Sequence, residues 1–89
     1  MARFTVNWRP LAEQRLADLW LKAADPDAIT RASHKIETLL ARDADSLGES
    51  REGNRRVWFT PPLAVVFSVD AAEGVVEVID INLSRTSGR

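Results

Sequence analysis

The chain has 89 residues, with 12 lysines and arginines against 13 aspartates and glutamates, one histidine and no cysteine. A length of this order makes one domain, 1–89, that buries about 60–65% of the surface its unfolded form exposes, which leaves little room for a deep pocket. The missing cysteines exclude a disulfide frame and a thiolate zinc site, a net charge of -1 excludes a globally basic nucleic-acid binder, and no apolar run is long enough to cross a bilayer.

The opening MARFTVNW alternates apolar and polar side chains, with Phe4, Val6 and Trp8 on one side and Arg3, Thr5 and Asn7 on the other. That is the signature of a half-buried strand rather than of a signal peptide, and a cytoplasmic protein is the expectation. Pro10 suits the first turn of a helix, where its missing N–H costs nothing. Ala12, Leu16, Leu19, Trp20 and Ala23 then recur at helical spacing, opposite Glu13, Arg15, Asp18 and Lys22, over roughly Pro10 to Ala24. Asp25-Pro26-Asp27 caps, starts and charges a second helix, whose apolar face carries Ile29, Ala32, Ser33, Ile36, Leu39 and Leu40. It ends near Arg42, and the polar DADSLGES stretch with Gly48 as breaker reads as a connection.

From Arg55 the period becomes that of strands: Arg55 to Thr60, Leu63 to Asp70 and Val75 to Leu83, separated by Pro61-Pro62 and by Ala71 to Gly74. Residues 83–89 read as a frayed tail. The predicted fold is α+β, in the order β-α-α-β-β-β, with a helical hairpin packed on one face of a mainly antiparallel sheet. In the middle strand of the meander, Leu63, Val65, Phe67 and Val69 form the set expected under the helices. Val57 and Phe59 look like core as well, which would put Arg56, Trp58 and Thr60 on the open face with Ala64, Val66 and Ser68. For the last strand, Val76, Val78, Asp80 and Asn82 are assigned to the open side. Trp8 and Trp20 lie on apolar stripes and are expected in the core.

At this point the segments FTVNWRPLAEQRLADLW, GESREGNRRVWFTPPLAVVFSVD and VVEVIDI together resemble the RelE/ParE toxin superfamily, over about Phe4 to Leu83. These are the toxin halves of bacterial type II toxin–antitoxin modules, of the kind that serve plasmid stabilization. The resemblance implies the α+β fold, a cognate antitoxin as partner, no cofactor and no membrane. It also implies one of two targets: messenger RNA on the ribosome for RelE-like members, or DNA gyrase for ParE-like members. RNA-cutting members use arginines on the open sheet face and a C-terminal tyrosine or histidine. Arg56 matches the arginine that begins the first meander strand. Ala64 and Ser68 stand where such members carry arginine, and Leu83, Ser84 and Arg85 occupy the region of the missing aromatic.

The expected partner-binding residues are therefore Arg56, Trp58, Val66 and Arg85, rimmed by Arg51 and Arg55, for an antitoxin and for gyrase or another protein target. The alternative is a ribosome-dependent ribonuclease using Arg51, Arg56 and Arg85, with Glu52 as base. A non-toxic interaction domain is the third reading. His34, alone in the sequence, falls on the polar side of the second helix with Lys35, and the scattered carboxylates offer no converging metal site.

Overall fold

A computed structural model describes residues 3–50 and 54–83. Both helices start at proline: α1 spans Pro10–Lys22 and α2 spans Pro26–Asp43. The Asp25 carboxylate accepts the Ala28 N–H at 3.3 Å, satisfying one of the donors that a helix start leaves free. A single turn of 3-10 helix, Ala44–Ser46, extends α2.

Five strands follow the order β1-β5-β4-β3-β2 in one sheet. They are β1 (Thr5–Trp8), β2 (Glu49–Ser50), β3 (Arg55–Thr60), β4 (Leu63–Asp70) and β5 (Val75–Leu83). Among the described residues only β1 runs parallel to its neighbour, pairing with Val75 to Val78 of β5, and the other pairs are antiparallel. The β3, β4 and β5 boundaries are those expected from the alternation. β2 was expected as loop, since two residues are too few to show a period. It forms because Gly48, at φ +79°, turns the chain close beneath β3: a Cβ there would lie 2.9 Å from the Val57 carbonyl oxygen.

The helical hairpin covers one sheet face. Ile29, Ala32, Ile36 and Leu40 of α2 are buried against Leu63, Val65 and Phe67 of β4 and Val76, Val78 and Ile81 of β5. The start of β1 is tied to the far end of α2 by the Phe4 N–H, which donates to the Ala41 carbonyl at 2.8 Å. Because β1 ends opposite Val78, α1 runs on beside the second half of β5, where Arg15 meets Asp80 and Asn82.

Two of the expected strand faces are reversed. Residues directly opposite across an antiparallel pair share a face. Thr60 pairs with Leu63, Trp58 with Val65 and Arg56 with Phe67, so the Arg56, Trp58 and Thr60 set points toward the helices. Val57 and Phe59 pair with Val66 and Ala64 and point away. In β5, Val76 and Val78 are fully buried, whereas Asp80 and Asn82 do lie on the open side. The reason is a β-bulge: Val66 opposes Asp80 but Phe67 opposes Val78, so Ile79 is an extra residue that inverts the alternation partway along the strand.

Candidate protein-binding face

The open face is best described as rows running across the strands. Phe59, Ala64 and Asn82 make the first row, and Glu49, Val57, Val66 and Asp80 the second. Beyond the bulge come Arg55, Ser68, Glu77 and Asn7, then Asp70, Val75 and Thr5. Phe59 is 54% exposed, high for a phenylalanine, and with Val57, Ala64 and Val66 it forms the apolar part of the face.

Charge on these rows is mainly negative. Glu49, Asp80, Glu77 and Asp70 belong to them, against Arg55 alone among the described strand residues. Two further arginines reach the face from the α1 side and are held there. Arg9 Nη2 donates to Glu77 Oε1 at 3.0 Å, and Arg15 lies 3.5 Å from Asp80 and 3.4 Å from Asn82 Oδ1. The hydrogen bond from Arg9, more than its charge, draws the Glu77 carboxyl below its ordinary range, and the same bond raises the Arg9 guanidinium. Arg9 and Arg15 are thus compensated where they stand.

Of the expected site residues, Val66 and the rim residue Arg55 lie on this face. Arg56 and Trp58 do not. The Arg56 guanidinium donates to the carbonyl oxygens of Asp45 and Leu47 at 3.0 and 3.1 Å, satisfying acceptors left where α2 gives way to β2. Trp58 packs half-buried against the core. Arg51, Glu52 and Arg85 lie outside the described residues. Phe59 is the residue the sequence reading missed; its only signal was that it neighbours Trp58, so one of two large aromatics in a row had to face outward.

The helices hold a second exposed surface. Trp20 was expected in the core but is 44% exposed, with its indole N–H donated to Thr30 Oγ1 at 3.1 Å. Trp8 packs against the core as expected, and its N–H donates to Glu37 at 3.0 Å. His34 is exposed on α2, as expected. No group of three or more metal-ligating side chains converges among the described residues, and no described helix is long and apolar enough to cross a membrane.

No family model matches the sequence, and no curated protein matches it. Solved structures do match the fold. A RelBE toxin–antitoxin complex from Mycobacterium tuberculosis superposes with a TM-score of 0.76 at 15% identity, covering 94% of this chain and 94% of that one. A chromosomal ParDE toxin–antitoxin system from P. aeruginosa gives 0.72 at 14% identity, covering 93% and 98%. TrmO from Pseudomonas aeruginosa gives 0.61 at 21% identity, covering 92% of this chain but 36% of that longer one. These superpositions show that the chain shares the fold of the RelBE and ParDE structures.

Proposed function

We propose that the protein is the toxin of a bacterial type II toxin–antitoxin pair, ParE-like or divergent, which acts in the cytoplasm through protein contacts on its open sheet face. The partners are a cognate antitoxin and a protein target such as DNA gyrase. One observation carries the choice of protein over RNA. The open face sets Phe59, Val57 and Val66 among carboxylates, while Arg9 and Arg15 are occupied by Glu77, Asp80 and Asn82. Such a face offers a phosphate chain little purchase, since RNA affinity rests on uncompensated cations and Arg55 is the one it carries among the described residues. An apolar patch with an exposed aromatic and a mixed polar border is interface material. Arg56, whose guanidinium already serves two carbonyls, is positioned here as a structural support for that face.

The test is induced expression in a bacterial host, alone and with the adjacent reading frame, for wild type and Phe59→Glu. Growth arrest that the neighbouring protein relieves and that Phe59→Glu abolishes, with its melting temperature unchanged, is the expected result. Undisturbed growth on wild-type expression overturns the toxin reading. Codon-specific cuts in a message translated with the purified protein would replace it by the ribonuclease reading.

A further inference from the structure

Among the described residues Thr60 is the one polar residue that is buried, at 4% exposure. It closes β3 and pairs with Leu63, so its side chain lies on the covered face of the sheet, on the side of α2. A buried hydroxyl is ordinarily hydrogen-bonded, because losing its water partners without replacement costs free energy. The Thr60 hydroxyl has no such partner among the described residues. Thr60 instead lines a small cavity of about 200 Å³, between the first half of α2 and the turn from β3 to β4.

The other lining residues give this cavity a definite chemistry. Ala28 and Ala32 stand one turn apart on α2, and their methyl side chains leave room beside the helix. Arg31 and Lys35 stand one turn apart on the neighbouring row, so two long cationic side chains border the same space. Pro61 and Pro62 bring apolar rings but no N–H, so these two residues of the turn supply no backbone donor. No carboxylate lines the cavity among the described residues, although the chain has a net charge of -1. Arg31 reaches Asp25 only at 4.0 Å, between exposed side chains, and Lys35 makes no ion pair with a described residue. The side-chain donors are therefore a guanidinium, an ammonium and a hydroxyl.

We propose that this cavity binds one phosphate dianion, free or as the end group of a phosphomonoester, held by Arg31, Lys35 and the Thr60 hydroxyl. Its volume lies below the range of about 300–1,000 Å³ typical of sites for larger ligands, so it takes a single group rather than a whole cofactor. Two cations match the charge of a phosphomonoester, about -1.5 to -2 at neutral pH, better than they match a singly charged carboxylate or phosphodiester. A guanidinium grips two oxygens of such an anion at once, and the ammonium adds a point charge. A phosphate oxygen also gives the buried hydroxyl the partner it lacks within the protein. The bound anion ties α2 to the β3–β4 turn and stabilises the folded chain by mass action. The inference is independent of the toxin reading, which concerns the open face of the sheet.

The experiment titrates the purified full-length protein with inorganic phosphate, methyl phosphate, dimethyl phosphate and acetate at constant ionic strength. Binding is read from the amide resonances of Ala28, Arg31 and Thr60 and from the melting temperature. The better of inorganic phosphate and methyl phosphate should bind with a Kd of about 1 mM, and about tenfold tighter than dimethyl phosphate or acetate. Whichever of the two binds tighter identifies the source as the free ion or a phosphomonoester. Arg31→Gln and Lys35→Gln, both at exposed positions, should each weaken binding about tenfold. Thr60→Val keeps the side-chain shape and removes the hydroxyl. It should weaken binding while leaving the ligand-free melting temperature unchanged or raised, because an unpartnered buried group is lost. The proposal is overturned if phosphate moves none of these resonances, or if dimethyl phosphate or acetate binds as tightly. It is also overturned if neither glutamine variant changes the affinity, or if ligand-free Thr60→Val melts well below wild type, since the hydroxyl would then have a partner inside the protein.

Discussion

The two faces of the sheet use similar residues in opposite ways. On the helix-covered face, Leu63, Val65, Phe67, Val76 and Val78 have no solvent exposure, and the one cation there among the described strand residues, Arg56, is absorbed by two backbone carbonyls. On the open face, Val57, Val66 and Phe59 sit among carboxylates, and the arginines arriving from α1 are held by side chains. The covered face is where apolar area stabilises the fold, at about 25 cal/mol for each Å² removed from water. The open face keeps apolar area that folding does not remove, which leaves it available to another molecule.

That contrast is broken most forcefully at Phe67. Replacing it with alanine should leave a core cavity and cost about 3–5 kcal/mol, measured by denaturant unfolding. A loss below about 1 kcal/mol would mean that the covered face is not the core.

A finer test compares neighbours in β3. Trp58→Ala should cost roughly 1–3 kcal/mol, less than a fully buried tryptophan because the side chain is half-buried. Phe59→Ala should shift stability by no more than about 0.5 kcal/mol. Equal costs, or a larger one at Phe59, would restore the opposite orientation of the strand.

The smallest effect concerns the ion pair at the edge of the open face. Glu77 is depressed by Arg9, so its contribution is present above the ordinary glutamate range and disappears as pH falls through the lowered value. Wild type should therefore melt slightly above Glu77→Gln at about pH 7, and the two should converge once the pH has fallen through the lowered Glu77 value. Salt should shrink the difference, because both side chains are exposed. An advantage that grew on acidification would contradict the pairing.

Both helices, their proline starts, the Asp25 cap and the order of the three long strands were legible because each depends on residues close in sequence. The orientation of β4 was legible too. Leu63, Val65 and Phe67 contrast with Ala64, Val66 and Ser68 strongly enough for burial to follow from alternation. In β3 the two sets are nearly matched, since RRVWFT puts an aromatic on either side. What decided between them was the position of the Asp45 and Leu47 carbonyls, which gave Arg56 partners on the covered side. In β5, one extra residue at Ile79 reversed the pattern midway, and no local feature of VVEVIDI announces a bulge.

Within this protein, then, the amino-acid sequence by itself determined what is periodic and capped: the α+β class, the element boundaries and the face of β4. The tertiary structure alone decided the two-residue strand β2, the outward turn of Phe59, the inward turn of Arg56 and the exposed position of Trp20 beside Thr30. Each of these depends on a partner from a distant segment, whether a carbonyl, a cross-strand neighbour or a second helix. A hydrophobic pattern ranks residues by their appetite for burial. When two adjacent residues are almost equal in that respect, the contacts available in the folded chain choose between them.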